Sequence, residues 1–276
     1  MATRRAFVLG GGGLLGAVEV GMLRALFERD LRPDLVVGTS IGAINGLVVA
    51  AEPSMDAVDR LLDLWQGVAE SNDIYADSTW RQVRRAVRTG THLHSAAPIR
   101  QLLEDEFGGT TFADLPVEFQ CCAASIERSA EHWFDRGEVV PAVVASAAVP
   151  GLLPPAVVDG EHYLDGGIVN SIPVGRAVEL GATEIFVLQV GRIDRPLAPP
   201  KRPWEVARVS FEIARRHRFM REMASLPDDV VAHVLPASGS DADDDPMAYR
   251  DTSRVAGRIE AAYRASVTYL DTSAAG

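Results

Sequence analysis

Gly38-Thr39-Ser40-Ile41-Gly42 is a G-x-S-x-G pentapeptide, a spacing that can hold a serine hydroxyl out as a nucleophile. The apolar run Asp34 to Val37 precedes it, and Ile41 to Ala51 reads as a helix. The serine therefore falls on a strand-to-helix turn. Glycine suits positions 38 and 42 because a side chain at either place would clash with the tight backbone. The helix start behind Ser40 also favours negative charge developing beside it. The same five residues admit a second reading, a tight turn whose serine only caps the helix.

Gly11-Gly12-Gly13-Leu14-Leu15-Gly16 satisfies G-x-G-x-x-G between the apolar strand Arg5 to Leu9 and a helix over Gly16 to Arg29. A dinucleotide site would need an acidic residue at the end of the second strand, where Gly38-Thr39-Ser40 stands instead. A P-loop would need a lysine after the glycines, and none follows at that spacing. What remains is a nest of backbone N–H groups at a helix start, suited to an anion or an oxyanion. Close helix packing accounts for one or two glycines, but not for the run from Gly10 to Gly13.

A nucleophilic serine needs a base. The histidines are His92, His94, His132, His162, His217 and His233, and none has a glycine- or turn-flanked setting like that of Ser40. His233, near a strand-like stretch and late in chain order, is the one a Ser-His-Asp triad would use. His217 lies among arginines on a helix. The other candidate is Asp165 in Asp165-Gly166-Gly167. A carboxylate is a weak base for a hydroxyl, so direct contact requires a desolvated aspartate with a raised pKa. Taken alone, Asp-Gly-Gly reads as a turn.

The elements that must position these residues alternate along the chain. Beyond the two strand-glycine-helix units, Asp56 to Glu70 and Ser78 to Thr89 have helical patterns, and Phe119 to Ser125 and Glu131 to Asp135 have strand character. Val139 to Ala148 reads as a helix of small residues. Val157 to Leu164 reads as a hairpin around Asp159-Gly160. A helix over Ile172 to Leu180 and a strand over Glu184 to Val190 follow. This order predicts an α/β fold of three layers, a largely parallel central sheet with helices on both faces. Residues 5–191 form the predicted core. Residues 192–276 form a proline-rich connector and a helical extension packed on it, with helices from Trp204 to about Leu226 and from Ser253 to Leu270.

Composition limits the function classes. The chain has 276 residues, 47% apolar and 24% charged, with a formal net charge of −11. That is globular composition, incompatible with a collagen-like, disordered or disulfide-stapled protein. The acidic excess argues against nucleic acid as the main partner. The two cysteines, Cys121 and Cys122, are adjacent and read as buried thiols in a reduced compartment. The start of the chain imitates a signal peptide, but four consecutive glycines and Glu19 break its apolar stretch. Leu35 to Ala51 is uncharged over 17 residues, short and glycine-rich for a membrane span. A soluble, cytoplasmic protein, peripheral at a membrane at most, is the expectation.

The glycine run, the elbow and the Asp-Gly-Gly turn, in this order, resemble the patatin-like phospholipase family over most of Arg5 to Gly191. Ala145-Ser146-Ala147-Ala148-Val149-Pro150-Gly151, Pro154-Pro155, Asp159-Gly160 and Asn170 to Pro173 follow that family's later block. The resemblance implies a lipid acyl hydrolase of the phospholipase A or esterase type, with a Ser–Asp dyad, no histidine and no metal or organic cofactor. Ser40 would be the nucleophile, Asp165 the general base, and the N–H groups of Gly11, Gly12 and Gly13 the oxyanion hole. Gly16, Gly38, Gly42, Gly166 and Gly167 would support the motifs. One departure is Leu15, where the family often has Arg or Lys. An acyltransferase using the same serine, or a non-catalytic lipid-binding protein, are the alternatives.

Two basic stretches bear on access to lipid. Trp80 to Arg88 carries Arg81, Arg84, Arg85 and Arg88, whereas acid gathers at Asp241 to Asp245. In the later helix Val206, Val209, Ile213 and Met220 share one face, with Arg208, Arg215, Arg216, Arg218 and Arg221 around the rest. It reads either as an interfacial helix making transient membrane contact or as an amphipathic helix with its apolar face on the sheet.

Overall fold

The structure, a computed structural model, describes residues 3–70, 94–191, 193, 196–237 and 254–273. The proposed helix Ser78 to Thr89, the basic stretch Trp80 to Arg88, His92 and the acidic run Asp241 to Asp245 lie outside these residues.

Five short apolar strands give the parallel part of the sheet. They are β1 (Arg5–Leu9), β2 (Leu35–Thr39), β3 (Glu118–Ser125), β7 (Glu184–Leu188) and β8 (Val231–Val234). They lie in the order β3-β2-β1-β7-β8. β4 (Ala130–Phe134), β5 (Ala156–Val158) and β6 (Glu161–Asp165) add antiparallel pairings around β3, making eight strands among the described residues. β8 lies beyond the proline-rich connector in sequence and pairs in parallel with β7.

Side chains alternate across the strands, and the alternation builds three layers. Phe7, Leu9, Val36, Phe186 and Leu188 face one core. Helices α1 (Ala17–Phe27), α2 (Ile41–Ala51), α3 (Met55–Glu70), α4 (Ala97–Phe107) and α5 (Val139–Ser146) cover that side. Ala6, Val8, Leu35, Val37, Ile185 and Val187 face the other core. There they meet α6 (Val174–Glu179) and Phe219 of α7 (Pro203–Ala224). The last helix, α8 (Val255–Ser273), lies on α1, where a Cβ on Gly21 would come within 2.1 Å of the Ile259 carbonyl oxygen.

Candidate active site

Ser40 sits between β2 and α2 with φ 57° and ψ −123°, backbone space a non-glycine residue occupies at a cost of about 1–3 kcal/mol. Several contacts hold it there. Its N–H donates to Ser146 Oγ at 2.9 Å, and its carbonyl accepts the Ala43 N–H at 2.9 Å. The flanking glycines allow the turn to close. A Cβ on Gly38 would lie 2.4 Å from the Gly42 carbonyl oxygen, and one on Gly42 would lie 2.3 Å from the Leu9 carbonyl oxygen.

The edge of β3 brings Asp165 to this turn. Cys121 and Cys122 pair with β2 and β4 at once, while Ala123 to Ser125 pair with β6 and β4. β4 therefore occupies one edge of β3, and β2 and β6 share the other. β2 runs parallel to β3 and β6 antiparallel, so their C-terminal ends meet head-on. Thr39 stands opposite Cys122, and Asp165 opposite its neighbour Ala123. At the junction Ser40 Oγ donates to Asp165 Oδ2 at 2.5 Å, and both residues are buried. Asp165 Oδ1 accepts the Gly167 N–H at 2.7 Å. Burial pushes the Asp165 carboxyl up to about 6, against the opposing pull of the bonds from Ser40 and Gly167.

The glycine run lies along the same junction. A Cβ on Gly11 would be 3.3 Å from Ser40 Cβ. The Gly10 and Gly11 N–H groups donate to the carbonyls of Leu188 and Ser171, each at 2.9 Å. Among the described residues, no acceptor is found for the N–H groups of Gly12 and Gly13. Beneath the run, Asn45 Nδ2 donates to the Gly16 carbonyl at 3.1 Å and to Glu19 Oε2 at 2.7 Å. Glu19 is fully buried, which raises its pKa well above the ordinary carboxylate value, and its Oε1 has no partner.

Residues 7–178 match the family described as patatin-like phospholipase. This chain belongs to that family. A patatin-like phospholipase domain-containing protein of Caenorhabditis elegans is 33% identical over 191 residues, 68% of this chain and 17% of that protein. Lysophospholipase nte1 of Aspergillus terreus is 33% identical over 187 residues, 68% of this chain and 12% of its own length. The chain thus spans less than a fifth of the length of these curated relatives. Among solved structures, VipD from Legionella pneumophila shares the fold, with a TM-score of 0.50 at 13% identity over 98% of this chain and 67% of that one.

In this member of the family the serine meets a carboxylate rather than an imidazole. His233 lies on β8, its ring stacked on Phe186 at 4.8 Å. His132 packs against Phe134 and Tyr163, His162 bonds Glu127, and the backbone N–H of His94 donates to the Leu152 carbonyl. His217 is exposed on α7. Cys121 and Cys122 are free buried thiols whose pKa values burial raises. Among the described residues no group of three or more His, Cys, Asp or Glu could hold a metal, and no helix is long and apolar enough to cross a membrane.

Of the two readings of this helix, α7 does not adopt the one that lays its row of Val206, Ile213 and Met220 on the sheet. Val206, Ile213 and Met220 are 50%, 56% and 60% exposed, so they do not rest on the sheet. Arg215 instead is 6% exposed, and Arg218 Nη1 donates to the Val169 carbonyl at 2.8 Å. The reason lies in what α7 covers. Phe219 reaches the apolar core, but α7 also covers the Val190 and Val169 carbonyls, which need donors rather than methyl groups.

Sequence reasoning missed three supporting residues. Ser146 stood within a family block without a role. Glu19 and Asn45 were visible only as polar interruptions of apolar helices. A lone carboxylate within such a helix was the available signal for the buried network under the glycine run.

Proposed function

We propose that this chain is a serine hydrolase that cleaves carboxylic esters of lipids, with Ser40 as nucleophile and Asp165 as general base. The observation that carries this reading is the buried 2.5 Å hydrogen bond from Ser40 Oγ to Asp165 Oδ2. Ser40 Oγ attacks the ester carbonyl as Asp165 takes its proton, giving a tetrahedral oxyanion. Collapse breaks the bond to the alkoxy leaving group, which takes the proton from Asp165 and departs as the alcohol. Water then attacks the acyl-enzyme while Asp165 accepts its proton. The second collapse frees the carboxylic acid and returns the proton to Ser40. A carboxyl pushed up to about 6 suits a base that must both take and return a proton.

The Gly12 and Gly13 N–H groups are the proposed oxyanion donors, each contributing about 2.7–4 kcal/mol if aimed at the developing charge. Gly11, whose N–H is held by Ser171, anchors the run. The lysophospholipase name carried by relatives makes phospholipid esters the first substrates to assay. The outward row Val206, Ile213 and Met220, with exposed Arg221 beside it, is the surface we assign to contact with lipid.

Ser40→Ala is expected to abolish turnover of a short-chain p-nitrophenyl ester and labelling by a fluorophosphonate. Full turnover by a folded Ser40→Ala protein would overturn the assignment. Product analysis with added alcohols separates hydrolysis from acyl transfer, since an acyltransferase would deliver ester rather than free acid.

A further inference from the structure

Arg215 is the unusual feature of α7. A guanidinium keeps its charge at any ordinary pH, so burying it is costly unless its donors are used. Here Nε donates to Ser171 Oγ at 3.2 Å, Nη2 to the Val190 carbonyl at 2.5 Å, and Nη1 to Glu212 Oε2 at 3.2 Å.

Two of these acceptors form the wall of the glycine run. The Ser171 carbonyl holds the Gly11 N–H, and Ser171 Oγ lies 3.3 Å from where a Cβ on Gly11 would be. Val190 lies against Gly12 so closely that a Cβ there would come within 1.8 Å of Val190 Cγ2. Arg215 thus reaches Gly11 and Gly12 through one intervening residue each. It does so from outside residues 7–178, the stretch that matches the family.

We propose that Arg215, its charge met by Glu212, is a positioning residue for the oxyanion loop, bracing Ser171 and Val190. The inference rests on the reading of Gly12 and Gly13 as oxyanion donors. The brace holds Ser171 and Val190 in place, and through them Gly11 and Gly12. Holding the oxyanion donors in place acts on the transition state more than on the bound ester, so it belongs in kcat rather than KM.

The test uses the full chain with Arg215→Met, Arg215→Lys and Ser171→Ala, beside wild type and Ser40→Ala. Arg215→Met is expected to lower kcat for a short-chain ester about 10- to 100-fold, less than deletion of an oxyanion donor itself, with KM within about threefold. Affinity for a trifluoromethyl ketone, which forms a tetrahedral adduct on the serine, should fall by the same factor. Arg215→Lys should recover part of both losses, because an ammonium keeps one donor to the wall and the pair with Glu212. Ser171→Ala, which removes one of the acceptors and leaves its carbonyl, should shift both in the same direction by less. It also tests the brace if Arg215→Met fails to fold. Wild-type kcat and inhibitor affinity in a folded Arg215→Met, or in Ser171→Ala and Arg215→Lys together, would overturn the proposal. If Ser40→Ala is inactive while the Arg215 variants match wild type, this inference alone falls. If Ser40→Ala stays active, the reading of the site falls first.

Discussion

The Ser146 hydroxyl accepts the backbone N–H of Ser40 at 2.9 Å across a sequence separation of 106 residues. The same hydroxyl donates to the Cys122 carbonyl at 2.6 Å. It therefore ties the strained turn to β3 at the point where β2 leaves that strand. Ser146→Ala would leave a buried N–H and a buried carbonyl unpaired, at about 1–3 kcal/mol for each group. The expected outcome is a lower urea midpoint together with slower fluorophosphonate labelling of Ser40. Wild-type values for both would remove the role.

With Asp165 as the proposed general base, activity should depend on pH. With its carboxyl pushed up to about 6, kcat/KM for a neutral ester should rise about tenfold per pH unit below 6 and level off above it. Stability should run the other way. The folded-state pKa lies above the ordinary 3.8, so the folded protein binds this proton more tightly than the unfolded chain. That contribution is complete below the unfolded value and is lost as pH rises through the folded one. Asp165→Asn should therefore be inactive yet more stable than wild type above pH 6, by an amount on the order of 3 kcal/mol. Denaturant titrations at pH 5 and 8 check the sign.

Glu19 follows the same sign for the same reason, burial. It is buried beside Asn45, and desolvation raises its pKa, so its ionisation opposes folding as pH rises. Glu19→Gln keeps the shape and removes the ionisation. The variant's stability relative to wild type should increase from pH 5 to pH 8, a trend that paired melting curves read directly. Glu19→Ala instead leaves Asn45 Nδ2 without this acceptor and should destabilise at both pH values, by about 1–3 kcal/mol.

The outer row of α7 gives a prediction about surfaces. Replacing Val206, Ile213 and Met220 together by serine should weaken flotation with phosphatidylcholine–phosphatidylglycerol vesicles. It should leave turnover of a soluble short-chain ester within about twofold, because these side chains are exposed. Unchanged flotation would remove the lipid-contact assignment.

Much of the positioning was legible locally. Arg5 to Leu9 and Ile41 to Ala51 are elements with the bounds their patterns predict, because a short apolar run between glycines and a helix after a sharp turn are set by nearby residues. Helix α4 was not read from the sequence. Only Leu103 and Phe107 of its residues are buried, too narrow a stripe to declare a period. Strand β8 appeared only as a strand-like stretch around His233. Its place in the sheet depends on the edge of β7 rather than on its own residues.

The sequence by itself determined the glycine-framed turns, the alternation that makes three layers, and the presence of a serine on an elbow. Each is a property of residues within a few positions of one another, where steric fit and period decide the outcome. It could not decide whether Asp165 was more than a turn residue, because that depends on β2 and β6 meeting end to end on one edge of β3. Nor could it decide which face of α7 turns inward. Hydrophobic periodicity assumes that the surface beneath a helix is apolar, whereas α7 covers the Val190 and Val169 carbonyls as well as the core that Phe219 enters. Those carbonyl oxygens draw Arg215 and Arg218 inward and leave Val206, Ile213 and Met220 outside.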